Sequence, residues 1–226
     1  MIKNFDISAY LVVGPENVKE HSVTDVIRAS VEAGFTCVQI RSKEASAREL
    51  IRLTQQAAEI ISEKSAKVTL LVNDRLDVIL AARKQGIKVD GIHVGQSDIP
   101  VDVCREYLGE ASVIGVSAAA DGLRDYIQTT DVREIDYFGI GPLRETATKP
   151  DCGLGLDGKV ITRSFDEIKM LAEISPVPLV LGGGVKLADL PQLAQTGVAG
   201  FFVVTAISEA SDPKAAAKQM LARWQA

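Results

Sequence analysis

Eight short runs rich in β-branched and apolar residues recur along the chain: AYLVV (9–13), TCVQI (36–40), VTLLV (68–72), GIHV (91–94), SVIGV (112–116), IDYFGI (135–140), VPLVL (177–181) and GFFVV (200–204). Each is followed by a stretch that favours helix. Ser46 and Glu49 have capping-box spacing, with Leu50, Leu53, Ala57 and Ile61 falling on one face behind them. Ser22 and Asp25 repeat the pattern more weakly, and Gly34 and Gly197 sit where helices should stop. Strand and helix alternate without hairpin signals, which implies parallel strands joined by crossover helices. Eight such units in 226 residues predict an α/β fold, a (β/α)8 TIM barrel forming a single domain over residues 1–226. A doubly wound open sheet is the rival, but its GxGxxG marker is missing after the first strand, which ends in Val13-Gly14-Pro15. The longest piece expected to be irregular and mobile runs from Lys149 to Thr162.

With 46% hydrophobic residues the chain can bury one sizeable core, and it has no linker or low-complexity tract. No apolar run approaches the ~20 residues that span a bilayer, and MIKNFDISAY lacks the apolar centre of a signal peptide, so a cytoplasmic protein is expected. Cys37, Cys104 and Cys152 are widely spaced with no CxxC, which suggests reduced thiols rather than a disulfide framework or a zinc site. A net charge of −5 argues against partners such as nucleic acid or an acidic membrane. For an anionic substrate the counter-charge must therefore be local.

In a barrel, chemistry sits at the C-terminal ends of the strands, so polar residues there are the ones to follow. Gln39, Arg41 and Lys43 lie two apart, which in extended backbone places them on one side, with Val38 and Ile40 against the helices. A buried unpaired guanidinium is costly, so this inward-facing set wants a ligand or an internal partner. The third strand ends in Asn73-Asp74 and the fourth in Gly95-Gln-Ser-Asp98. Taken singly, Asp74 suits a cap on the helix beginning near Leu76, and Asp98 a cap on the one after Pro100. Together, beside Arg41 and Lys43, the two carboxylates point to Mg2+ and a diphosphate. Gly182-Gly183-Gly184 ends the seventh strand and Val204-Thr205 the eighth, where barrels often receive a phosphate. A tight turn explains one of those glycines more easily than three. The two anion sites imply two phosphorylated small-molecule substrates. His93 lies inside the fourth strand and is assigned no role; a histidine there is more often a packed core residue than a base.

The ordered set Gln39-x-Arg41-x-Lys43, Asn73-Asp74, Gly91-Ile-His-Val-Gly-Gln-Ser-Asp98, Gly115-Val-Ser117, Gly141-Pro142 with Thr146-x-Thr148-Lys149, and Gly183-Gly184 resembles the thiamine-phosphate synthase family, over nearly the whole chain. The resemblance implies an enzyme that joins 4-amino-2-methyl-5-hydroxymethylpyrimidine diphosphate to 4-methyl-5-(2-phosphoethyl)thiazole, releasing diphosphate. It implies that Gln39, Arg41, Lys43, Asn73 and Lys149 hold the pyrimidine diphosphate and that Asp74 and Asp98 bind Mg2+. Ser117 corresponds to the family's serine after the fifth strand, and the thiazole phosphate would meet Thr146, Thr148, Gly183, Gly184, Val204 and Thr205. The implied chemistry is dissociative, so Arg41, Lys43, Lys149 and Ser117 are the candidate catalytic residues. Such a loop as Gly139–Asp151 would also close over the site.

Some residues depart from the family pattern. Ala118-Ala119-Ala120 stand where members often place a polar residue, Gly182 replaces a usual isoleucine, Thr205 stands where serine is common, and Arg75 follows Asp74. A thiazole tautomerase on the same fold is the nearest alternative, but those alanines remove the expected place of its acid-base histidine. A phosphate-binding barrel without catalysis is the other, and it has little reason to keep the paired aspartates. A homodimer is compatible with a small barrel.

Overall fold

Each apolar run divides its side chains between two cores, because successive residues of a strand face opposite sides of the sheet. In β1 (Ala9–Val13), Ala9, Leu11 and Val13 join the layer between sheet and helices, whereas Tyr10 and Val12 enter a second cluster inside the barrel. The same division holds in β2 (Cys37–Ile40): Val38 and Ile40 pack outward and Cys37 inward, and Gln39 falls on the inward side. The inner cluster is completed by Ile7, Leu71, Val113, Tyr137 and Val180, with Phe5, Phe202 and Val204 against it.

A computed structural model describes residues 5–64, 66–146 and 153–226. The remaining strands are β3 (Thr69–Asn73), β4 (Gly91–Val94), β5 (Val113–Ser117), β6 (Tyr137–Ile140), β7 (Leu179–Leu181) and β8 (Gly200–Val203). All pair in parallel in chain order, and β8 returns to β1, closing an eight-stranded barrel. The expected (β/α)8 architecture is therefore the one adopted, and the open-sheet rival is excluded by the β1–β8 pairing. Closure brings the C-terminal ends of all the strands to one rim.

The crossover helices are α1 (Val23–Ala33), α2 (Ala47–Glu63), α3 (Leu76–Lys84), α4 (Val101–Leu108), α5 (Leu123–Thr129), α6 (Phe165–Ile174) and α7 (Leu190–Ala194), followed by α8 (Thr205–Ser208) and α9 (Pro213–Trp224). The weaker capping signal gives the fuller cap. At Ser22 and Asp25 side chain and backbone bond reciprocally, while at Ser46 the Glu49 N–H donates to the hydroxyl at 3.3 Å. Gly34 ends α1 in the left-handed conformation, φ 109°, which an L side chain rarely adopts. Among the described residues no helix is long and apolar enough to cross a membrane.

One expectation is corrected. Residues 153–161 are not irregular but form a small hairpin: Leu154 bridges Val160 in antiparallel fashion, and the Ile161 N–H donates to the Gly153 carbonyl at 2.8 Å. The period-2 signal is too short there to be seen in sequence. Lys149 lies outside the described residues.

Candidate active site

At the C-terminal rim the strand ends surround a cavity of about 380 Å³. Its wall includes Gln39, Arg41 and Lys43 from β2 and its loop, Asn73 at the end of β3 and Asp74 after it, Asp98 after β4, and Ser117 from β5. Thr146, Gly183, Gly184, Val204 and Thr205 line the other side. Residues more than a hundred positions apart in sequence thus converge on one space. Thr148 and Lys149 lie outside the described residues.

The β2 set divides by partner. Gln39 is buried and donates from Nε2 to the Tyr10 hydroxyl at 2.5 Å, so its partner is internal. The Lys43 ammonium bonds the Asp74 carboxylate at 2.9 Å. Arg41 makes no side-chain hydrogen bond or ion pair among the described residues, although it is partly buried in the cavity wall. A guanidinium left in that state keeps five donors for an anion.

Asp74 and Asp98 do not cap the helices that follow them. The residue at the start of α3 is Arg75 and that of α4 is Pro100, neither with a side-chain cap. Asp74 instead has φ +60°, unusual for a residue with a side chain, and its N–H donates to the His93 carbonyl at 2.9 Å. Asp98 folds back to accept from the Gly95 N–H at 2.8 Å; a Cβ at Gly95 would stand 2.7 Å from that carboxylate oxygen, so a side chain there would displace the carboxylate. Burial raises the Asp74 carboxyl above its ordinary range, and the adjacent Asp98 carboxylate raises it further, against the opposing bond from Lys43. Two facing carboxylates of this kind repel unless a cation stands between them. Among the described residues no group of three or more His, Cys, Asp or Glu side chains gathers. Two oxygen donors without a full cage fit Mg2+, which keeps water and substrate oxygens in its shell.

Several supports were not visible in sequence. Glu16, after β1, accepts from the Ser42 hydroxyl and from the N–H groups of Lys43 and Glu44, both at 3.2 Å, and so braces the turn that carries Lys43. Burial works against its charge, yet these bonds hold its carboxyl below the usual range. Gly14 lets this approach happen, since a Cβ there would meet the Arg41 carbonyl oxygen at 1.7 Å. Arg144 grips Asp189 through two bonds of 2.6 and 2.7 Å and reaches the Gly184 carbonyl at 3.1 Å, pinning the glycine turn. Only pairing across the closed barrel reveals these partners, which are 26 to 45 positions apart.

The three glycines after β7 each have a local cause, which corrects the argument from their number. Gly183 and Gly184 have φ of 85° and 72°, and a Cβ at Gly184 would lie 2.8 Å from the Arg144 Cβ. A Cβ at Gly182 would lie 2.0 Å from the Phe202 ring, so the ring occupies the place of a side chain at 182. The Gly182→Ile variant is therefore expected to lose about 1–3 kcal/mol of stability in urea unfolding, and Gly182→Ile with Phe202→Ala to recover part of it. A single variant as stable as the parent would contradict this packing.

The alanine stretch is held by backbone contacts. Ala118, Ala119 and Ala120 line the cavity, the Arg163 guanidinium bonds the Ala120 carbonyl, and the Leu156 N–H donates to Asp121 at 2.5 Å. The hairpin thus braces the loop after β5.

A family profile described as thiamine monophosphate synthase matches residues 9–207. The thiamine-phosphate synthase of Corynebacterium efficiens is 38% identical over 221 residues, covering 96% of this chain and 94% of that protein. That of Vibrio campbellii is 36% identical over 198 residues, covering 87% and 88%. Among solved structures, a thiamine phosphate pyrophosphorylase from Pyrococcus furiosus superposes with a TM-score of 0.78 at 24% identity, covering 97% of this chain and 96% of that one.

Proposed function

Because the chain belongs to the thiamine monophosphate synthase family, we propose that it is a transferase joining 4-amino-2-methyl-5-hydroxymethylpyrimidine diphosphate to 4-methyl-5-(2-phosphoethyl)thiazole, with Mg2+ as cofactor. The observation that carries this reading is the gathering of Arg41, Lys43 and the Asp74–Asp98 pair on one wall of the cavity, opposite Gly183, Gly184 and Thr205. One wall suits a departing diphosphate and the other a second phosphate.

In the proposed reaction the C–O bond to diphosphate breaks and its electron pair leaves with the diphosphate. The pyrimidine methylene cation that results is captured by the thiazole nitrogen, whose lone pair needs no base to free it. Arg41, Lys43 and Lys149 stabilise the charge that accumulates on the leaving group, and their effect grows as the bond breaks. Gln39, Asn73 and Ser117 hold the pyrimidine diphosphate. Thr146, Thr148, Gly183, Gly184, Val204 and Thr205 hold the thiazole phosphate, so that the two rings meet in attack geometry. Asp74 and Asp98 would bind Mg2+, which when bound supplies further positive charge to the diphosphate oxygens. The proposal also includes a cytoplasmic location, with which a homodimer is compatible.

A coupled assay of diphosphate release, run with each substrate omitted in turn, tests the reading. Release is expected only when both substrates and Mg2+ are supplied. No release under any combination would overturn the synthase reading in favour of a tautomerase or a binding barrel.

A further inference from the structure

Across the barrel interior, five side chains form an unbroken series of hydrogen bonds that joins two candidate substrate contacts. Gln39 Nε2 meets the Tyr10 hydroxyl at 2.5 Å, Tyr10 meets the Tyr137 hydroxyl at 3.0 Å, Tyr137 meets His93 Nδ1 at 2.9 Å, and His93 Nε2 meets Ser117 Oγ at 2.9 Å. The barrel makes room for it: a Cβ at Gly115 would stand 2.1 Å from Cζ of Tyr137, and one at Gly139 would stand 3.0 Å from Cε1 of His93. Packing by apolar residues would serve the core as well, and burying Gln39, Tyr10 and Tyr137 in line with the part-buried His93 and Ser117 needs another reason.

The series has a direction. An amide nitrogen can only donate, so Tyr10 accepts from Gln39 and must place its own hydrogen elsewhere. The Cys37 thiol also stands beside Tyr10, but sulfur is the weaker acceptor, so the hydrogen goes to the Tyr137 oxygen. Tyr137 then donates to His93 Nδ1. A neutral imidazole that accepts at Nδ1 carries its proton on Nε2 and donates it to Ser117. With that donor filling one lone pair, the Ser117 hydrogen is turned outward. Burial holds both tyrosine hydroxyls neutral, as the series requires.

The geometry points to Tyr10, Tyr137 and His93 as positioning residues that fix Ser117 as a donor, and the Gln39 carbonyl as an acceptor, toward the pyrimidine substrate. This rests on the synthase reading. An aminopyrimidine offers the matching pair, an amino group to give and acceptor atoms to receive. Reversal of the series would present the opposite polarity at both ends, so recognition depends on the direction and not only on the packing.

The chain has two histidines, so nitrogen-15 spectra of the full-length protein, with a His21→Gln variant for assignment, read the His93 tautomer directly. The expected result is one tautomer, protonated at Nε2 and not at Nδ1. Tyr137→Phe keeps the ring and removes the donor, and is expected to give mixed tautomers and a KM for the pyrimidine diphosphate raised about tenfold, with the KM for the thiazole phosphate unchanged. Tyr10→Phe should act in the same direction. A parent protein protonated at Nδ1, or a Tyr137→Phe variant with unaltered His93 resonances, would overturn the relay. Absence of diphosphate release in the parent would instead defeat the synthase reading, while the tautomer stays measurable, so the two failures are distinguishable.

Discussion

Asp74→Asn combined with Asp98→Asn is expected to lower diphosphate release on the order of 10³-fold and to abolish the saturable response to Mg2+. The physical reason is the arrangement at the ends of β3 and β4, where two carboxylates share one rim and the Asp74 group is pushed upward by burial and then by Asp98. Such a pair is unfavourable alone and favourable around a divalent cation. Neither residue caps a helix, and an asparagine at 98 keeps an oxygen that can accept from the Gly95 N–H, so the substitutions remove the proposed ligands while leaving that turn its acceptor. Near-ultraviolet circular dichroism should therefore be unchanged, and calorimetric titration with Mg2+ in the presence of the pyrimidine diphosphate should lose its heat. A double variant with the parent's metal titration would remove both residues as ligands.

Arg41→Ala should reduce turnover about 10²–10³-fold, with a smaller change in the affinity for the pyrimidine diphosphate. Lys43 is bonded to Asp74 and Gln39 to Tyr10, whereas Arg41 makes no such bond among the described residues. Its guanidinium faces a cavity whose net charge is offset by two nearby aspartates, so its field acts on whatever anion enters. Arg41→Lys should recover only part of the loss, because an ammonium is a point charge and cannot hold two phosphate oxygens with a planar fork. Steady-state kinetics on both variants, with kcat and KM resolved, provides the check. An Arg41→Ala enzyme with parental kcat would assign the leaving-group role elsewhere.

How much of the site could be read in the chain depended on the range of the interaction. Gln39, Arg41 and Lys43 could be found from their spacing, although only Gln39 lies in β2; the loop that continues the strand carries Arg41 and Lys43 to the same cavity wall. The caps could be found as well, although their relative strength was reversed, since only Asp25 returns a bond to its cap backbone and the side-chain conformation that decides this is not encoded in residue type. Glu16 and Arg144 could not be found, because their partners lie in other loops and nothing in their own neighbourhood distinguishes them from solvated charges. The glycine run after β7 was visible but misleading. Its members answer to a ring on β8, a left-handed turn and the Arg144 backbone, not to one common cause.

His93 shows the limit most clearly. Its neighbours in sequence mark it as a packed strand residue, and its role follows from which residues closure of the barrel places beside it: Tyr137 from β6 and Ser117 from β5. The alternation of eight short apolar runs with helix-favouring stretches, a property of local sequence, by itself determined the parallel barrel and the rim at which the polar residues that end its strands emerge. Partner choice among those residues was decided by tertiary structure alone, because hydrogen bonds and ion pairs depend on distances of about 3 Å, and only the register and closure of the sheet set those distances for groups far apart in the chain.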